Sequence, residues 1–231
     1  QGIPRGEFVP YYEQQIDLQT GELTGFEMLA RWNSPTLGLV SPDIFIPVAE
    51  EIGLISELSE SLIRQALDDA KRWDPRLTLA VNISPLQLRD QWFAQKLLKL
   101  LVEANFPAHR LEIEITESCL HDNMGIVRSL IASLKNQGIR VSIDDFGTGY
   151  SSLAQLRSLP FDRIKIDRSF VSNLADNRNS AAIVNEWGQD GVVGQEHQCL
   201  AGFRVFEIYA AVARDNPSRC SSRLGRCADR K

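Results

Sequence analysis

The segments LEIEITE at residues 111–117 and RVSIDDF at 140–146, joined by one amphipathic helical pattern, decide the fold of this chain. Each segment is a short apolar run typical of a buried β-strand, and each ends in acidic side chains. Repeated strand-then-helix units predict a parallel sheet or barrel, whose chemistry gathers at the carboxyl ends of the strands.

The same arrangement extends outward in both directions along the chain. LTGFEMLARW (23–32) carries Glu27, LTLAVNIS (77–84) carries Asn82, and RIKID (163–167) carries Lys165. Together with Glu114 and the Asp144–Asp145 pair, these residues lie at intervals that each suit one strand–helix unit. Oxygen ligands that converge from several strands predict a site for Mg²⁺ or Mn²⁺ and a phosphate ester.

The first strand is expected to break the alternation. GEFVPYYEQQID (6–17) has a strand pattern, and the Thr20–Gly21 turn joins it directly to the next strand. So short a link predicts a hairpin with an antiparallel first strand. Ser41–Pro42–Asp43 and Ser84–Pro85 are both predicted to start helices, with serine as the cap and proline in the first turn.

Composition excludes several classes of protein. A chain of 231 residues with 43% apolar residues fits one α/β domain. Its net charge of −5 argues against binding to nucleic acid polymers. We find neither an apolar run of membrane-spanning length nor a signal peptide, so a cytoplasmic domain is expected. The four cysteines lack CxxC spacing, which supports neither a zinc site nor a disulfide framework.

Each motif also has a structural interpretation without chemistry. A lone strand glutamate is usually solvated, Asp–Asp before a glycine is commonly a turn signal, and FGTGY (146–150) alone is weak evidence for a phosphate loop. The functional interpretation depends on the joint pattern. In it, adjacent aspartates at a strand end suit a pair of divalent metals, and Lys165 can hold a water or neutralise developing charge.

The motifs, in this order, resemble the EAL domain family. Glu27–Met28–Leu29 followed by Ala30–Arg31–Trp32 is similar to the signature that names the family, with Met in place of Ala. VNISPLQL, EIEITES, SIDDFGTGYSSL and RIKIDRSFV follow in the family's order, so the resemblance runs from about residue 7 to 184. It implies a modified (β/α)8 TIM barrel with an antiparallel first strand. It also implies a phosphodiesterase that hydrolyses cyclic di-GMP to pGpG with Mg²⁺ or Mn²⁺.

The resemblance assigns a role to each matching residue. The implied metal ligands are Glu27, Asn82, Glu114, Asp144 and Asp145, the last of these at the second metal. The implied catalytic residues are Lys165, Glu27 and Asp144, and Lys165 would orient the catalytic water. Leu29 and Arg31 would contact the substrate, with Arg31 on a phosphate. Glu117 would anchor the loop at 145–152 rather than bind metal.

Two departures from the family pattern bear on activity. Glu13 stands where the family often has Gln, and it could accept from a guanine edge but not donate to it. After about Val184 the pattern stops, and no Ala-Glu-Gly-Val-Glu run of the seventh strand follows. We therefore expect an EAL domain at 1–184 and an atypical tail at 185–231, with the seventh and eighth barrel units missing or non-native. The abrupt change predicts that the residues after about Val184 are a frameshifted translation. Another reading frame of the same DNA should then encode that run.

The sequence leaves three functions open. The leading hypothesis is a cyclic di-GMP phosphodiesterase domain cut from a larger signalling protein. The second is a degenerate EAL domain that binds nucleotide or a partner without turnover, and the third is an unrelated Mg²⁺-dependent barrel enzyme such as an aldolase. Family analogy adds a homodimer, upstream sensory or GGDEF domains, and a cytosolic location, including the cytosolic part of a membrane-bound parent protein.

Overall fold

The computed structural model describes residues 2–17, 20–122, 124–146, 159–166 and 204–205. The strands are β1 Phe8–Ile16, β2 Leu23–Ser34, β3 Gly38–Val40, β4 Thr78–Asn82, β5 Leu111–Thr116, β6 Arg140–Phe146, β7 Arg163–Ile166 and β8 Arg204–Val205. The helices are α1 Pro42–Glu51, α2 Ile55–Ala70, α3 Phe93–Ala104, α4 Cys119–Asp122 and α5 Met124–Asn136, with 3₁₀ turns at Gln87–Arg89 and Ala108–Arg110. None of the helices within these ranges has the length and apolarity needed to span a bilayer.

The strands form one sheet in the order β1-β2-β4-β5-β6-β7-β8. β1 is antiparallel to β2, and every later pair along this path is parallel, so the predicted antiparallel first strand is confirmed. The short β3 pairs with the far end of β2 and was not predicted, because three residues carry too little pattern. This order of strands, with helices between them, is that of an α/β barrel.

The two faces of the parallel strands differ in character. On one face, buried residues such as Leu79, Ile113 and Ile143 pack in a single apolar cluster with helix residues such as Leu62 and Leu101. Burying each such side chain contributes roughly 1.5–3 kcal/mol. The opposite face holds the polar residues, since side chains alternate along a strand. The helices therefore fix the strands from outside and leave the inner face for polar groups.

Helix starts only partly follow the predictions. α1 begins at Pro42 as expected and ends before Gly53, whose φ of +73° suits glycine. Ser84–Pro85 does not start a helix, because α3 begins only at Phe93. The Ser84 hydroxyl donates to Glu50 at 2.5 Å and accepts from the backbone N–H of Leu86 at 3.2 Å. That hydroxyl thus belongs to a tight turn that ties α1 to the end of β4.

A buried arginine joins consecutive units at the amino end of the sheet. Arg110, just before β5, donates to the carbonyl oxygens of Leu77 at 2.9 Å and Ala70 at 3.1 Å. Its guanidinium also lies 4.7 Å from the ring centroid of Phe106. Arg110 thereby satisfies a carbonyl at the end of α2 that has no partner within the helix.

The predicted boundary near residue 184 lies outside the described residues. β8 falls within FRVFEIYAAV, the segment of the tail with a strand pattern, and it pairs in parallel with β7. It takes the seventh place along the sheet. The frameshift and the division at 184 stay predictions.

Candidate functional site

Polar side chains from five strands meet at the carboxyl end of the sheet. Register explains why: Asn82 at the end of β4 pairs with Glu114 of β5, and Asp144 of β6 pairs with the end of β5. Glu27 of β2 and Lys165 of β7 complete the group. The structure thus brings together these five predicted residues, which are separated along the chain.

Three of the carboxylates form a tight group around one ammonium. Ligand atoms of Glu27, Glu114 and Asp144 all lie within 4.8 Å of one another. Nζ of Lys165 lies 3.0 Å from Oε2 of Glu27, 2.9 Å from Oε2 of Glu114 and 3.1 Å from Oδ2 of Asp144. Only 7% of the lysine side chain is exposed, so the charges interact with little screening by water. The three carboxylates of Glu27, Glu114 and Asp144 are called the carboxylate cluster below.

Glu114 is the most deeply placed member of the carboxylate cluster. Its side chain is fully buried, and burial raises the pKa of its carboxyl well above the usual value. The Lys165 ammonium opposes that rise, whereas the charges of Glu27 and Asp144 add to it. Its Oε1 atom is buried and accepts no hydrogen bond from any described group. A buried carboxylate oxygen without a partner, beside two more carboxylates, fits a hard divalent cation.

Asn82 is tied to the carboxylate cluster through Glu27. Its Nδ2 donates to Oε1 of Glu27 at 2.7 Å, so the amide oxygen remains as an acceptor. The side chain lies at the exposed rim of the group. Its contact with Glu27 crosses from β4 to β2, which fixes the direction of that carboxylate.

Asp145 is set apart from its neighbour by the backbone. It has a φ of +54°, and its N–H donates to Oδ1 of Asp144 at 2.8 Å. A left-handed conformation is uncommon for residues other than glycine, although aspartate and asparagine adopt it more readily than most. Asp145 is exposed and is not one of the three residues of the carboxylate cluster. Its role at a second metal stays a prediction.

Glu117 lies buried just beyond β5. It is 1% exposed, and its N–H donates to the carbonyl oxygen of Asp144 at 3.0 Å. This hydrogen bond links the ends of β5 and β6, the two strands that carry Glu114 and Asp144. The loop that Glu117 was predicted to anchor lies mostly outside the described residues, so that role stays a prediction.

The predicted substrate residues lie along β1 and β2. Leu29 and Arg31 line a cavity of about 420 Å³ together with residues that the sequence did not single out, namely Leu39, Val40, Ser41, Pro42 and Asp43. The guanidinium of Arg31 lies 5.6 Å from the ring centroid of Tyr11. Glu13 is exposed and faces Glu27 directly across the β1–β2 pair. The sequence did not predict β3, so it did not predict that Leu39 and Val40 line this cavity.

A second polar layer lies two residues deeper in the sheet, and the sequence predictions missed it. Oε2 of Glu112 lies 3.3 Å from Nη1 of Arg163, and Glu112 is only 1% exposed. Ser142 of the intervening β6 is fully buried, and its hydroxyl has no hydrogen-bond partner among the described groups. Glu112, Ser142 and Arg163 lie two positions before Glu114, Asp144 and Lys165, so period-two alternation was the available signal.

The amino-acid sequence of the chain is similar to those of known proteins. The family model for the EAL domain matches residues 1–187. The chain is 36% identical over 197 residues to the cyclic di-GMP phosphodiesterase PA2567 of Pseudomonas aeruginosa, covering 84% of this chain and 32% of that protein. It is 39% identical over 185 residues to the cyclic di-GMP phosphodiesterase PdeR of Escherichia coli, covering 79% of this chain and 28% of that one.

Solved structures share the fold. A complex of the phosphodiesterase PaMucR with c-di-GMP has a TM-score of 0.75 and 32% sequence identity, and the match covers 85% of each chain. The chain spans about a third or less of the length of the curated relatives named above.

Proposed function

This chain belongs to the EAL domain family, and on that premise we propose that it hydrolyses cyclic di-GMP to pGpG with the help of Mg²⁺ or Mn²⁺. The observation that carries the proposal is the carboxylate cluster with Lys165 at its centre. Oxygen ligands from several strands beside one buried lysine suit phosphodiester hydrolysis better than a carbonyl reaction that needs a free amine, because this lysine is held by three carboxylates.

The metal ligands in this proposal are Glu27, Asn82, Glu114 and Asp144, with Asp145 at a second cation. At this site, Oε1 of Glu114 has no hydrogen-bond partner among the described groups, and the amide of Asn82 contacts Glu27 through its nitrogen, so both oxygens can serve as ligands. When bound, such a metal pair polarises a phosphoryl oxygen and lowers the pKa of a water. Asp145 lies next to Asp144 in a left-handed backbone conformation, which is uncommon for a residue other than glycine and supports a functional role.

The remaining residues bind and orient the substrate. Arg31 offers a guanidinium to one phosphate from the wall of the cavity, and Leu29 provides apolar contact in the same wall. Glu13, opposite Glu27, accepts from a guanine edge. Lys165 donates to the attacking water and neutralises charge that develops on it. Glu117 fixes the neighbouring loop through its buried position.

The context of the domain is part of the proposal. The family supports a homodimer and sensory or GGDEF domains upstream in the parent protein, and it supports a cytoplasmic location for the domain. The greater length of the curated relatives is consistent with additional domains.

The decisive experiment measures turnover and binding side by side. Purified chain is incubated with cyclic di-GMP and Mg²⁺, and pGpG is quantified by chromatography, while ligand affinity is measured separately with the metal chelated. We expect metal-dependent hydrolysis that Glu27→Ala abolishes while leaving the circular dichroism spectrum intact. Tight binding without any pGpG would instead identify a degenerate module, and turnover by Glu27→Ala would refute the site assignment.

A further inference from the structure

Lys165 occupies the centre of the carboxylate cluster, where a cation would be expected. Its ammonium is within 3.1 Å of one oxygen from each of Glu27, Glu114 and Asp144. These oxygens come from three different strands, and the ammonium is the positive charge that the described residues supply to all three. The lysine therefore neutralises part of a charge that would otherwise drive the three strands apart.

The same three carboxylates are the ones that a divalent cation needs. Mg²⁺ binds carboxylate oxygens at about 2.0–2.1 Å and requires near-octahedral geometry. An ammonium in contact with all three oxygens repels such a cation and occupies part of the space around them. Lysine and metal thus compete for the carboxylates, even though both are attracted to the site.

We infer that Lys165 is a built-in cation that holds the carboxylate cluster together before metal binds, and that a divalent cation displaces its ammonium from these carboxylates. The inference rests on the proposed function and adds an order of events to it. Metal binding releases Lys165 from its ion pairs, so the lysine becomes available to the attacking water only once the metal is in place. A chain without metal keeps the lysine engaged and catalytically silent.

The first test compares metal affinity in Lys165→Met and in Lys96→Met. Lys96 forms a half-exposed ion pair with Asp90, so its substitution removes the same charge from a site away from the carboxylate cluster. Calorimetric titration with Mn²⁺ should give a dissociation constant at least about tenfold lower for Lys165→Met than for the wild-type chain, since a competitor is gone. Lys96→Met should match the wild type. Equal or weaker Mn²⁺ affinity in Lys165→Met would overturn the inference.

The second test uses the wild-type chain and does not depend on a folded variant. In ¹⁵N-lysine spectra without metal, Lys165 should give a protected ammonium signal, because three carboxylates hold it. Saturation with Mg²⁺ should shift or remove that signal and leave those of surface lysines in place. A signal that is unchanged at saturating Mg²⁺ would contradict displacement.

Hydrolysis of cyclic di-GMP, measured on the same wild-type sample, separates this inference from the proposed function. Displacement of the ammonium without any pGpG would refute the phosphodiesterase and leave the competition intact. Turnover with an undisturbed lysine signal would support the phosphodiesterase and refute displacement of the lysine by metal. Absence of metal binding in both the wild type and Lys165→Met would overturn the inference itself.

Discussion

The amide nitrogen of Asn82 donates to Oε1 of Glu27 across 2.7 Å, which couples the end of β4 to the middle of β2. One side chain therefore aims a carboxylate and keeps its own oxygen for a ligand. The two functions of Asn82 can be separated by substitution.

Asn82→Ala removes both the donor and the oxygen, whereas Asn82→Asp keeps an oxygen but places a second carboxylate against Glu27. We expect Asn82→Ala to weaken Mg²⁺ binding by about tenfold or more. Asn82→Asp should retain metal affinity while its melting temperature without metal falls, because like charges then meet. Calorimetry and thermal melts with and without chelator measure the two effects. Identical metal affinities in the two variants would show that the oxygen is not a ligand.

Lys165→Ala, assayed at saturating metal, should lower kcat by about 100-fold or more with little change in KM. The reason is that a charge aimed at the attacking water acts mainly in the transition state. Initial-rate kinetics on cyclic di-GMP provide the measurement, and Lys96→Ala is the matched control. A rise in KM with unchanged kcat would assign Lys165 to substrate binding instead.

The raised pKa of Glu114 predicts a specific pH dependence of stability. Since this pKa is above the unfolded value near 4.5, its protonation favours the folded state. That contribution is complete below the unfolded pKa and is lost as pH rises through the folded pKa. With a chelator present, the melting temperature of Glu114→Gln should therefore rise relative to that of the wild type as pH increases. Saturating Mg²⁺ should restore the melting temperature of the wild type at high pH. A difference in melting temperature between variant and wild type that does not change with pH would contradict the raised pKa of Glu114.

The ion pair between buried Glu112 and partly exposed Arg163 should matter for stability rather than for chemistry. Arg163→Met leaves the buried carboxylate of Glu112 without this counter-charge, which should cost about 1–3 kcal/mol in urea unfolding. The double variant Glu112→Met and Arg163→Met should recover most of that loss, because no lone charge remains. Arg76→Met breaks an exposed ion pair and should change stability little. A double variant as unstable as the single one would exclude the ion pair as the cause.

Strand-end chemistry was predictable because two periodic rules suffice. Alternation along a strand and the common edge of parallel strands bring Glu27, Glu114 and Asp144 together without knowledge of any contact. Their shared contact with Lys165 was not predictable, because it depends on side-chain directions across three strands.

What the sequence could not supply were features with little local pattern. The three-residue β3 forms one wall of the cavity beside Arg31, yet it carries no repeat. Ser84–Pro85 has the composition of a helix start, but the hydroxyl of Ser84 is bonded to Glu50 from another element. Tertiary contacts of this kind override local propensity.

The hydrogen bonds of Arg110 stabilise the amino end of the sheet, whereas the carboxylate cluster and its loops lie at the carboxyl end. These hydrogen bonds join neighbouring strand–helix units at the end remote from the carboxylate cluster. Evolution can therefore rework loops above the strands, and with them affinity or specificity, without loosening the base. For protein engineering, the same separation marks the carboxyl-end loops as the place for grafted segments and marks Arg110 as a residue to leave untouched.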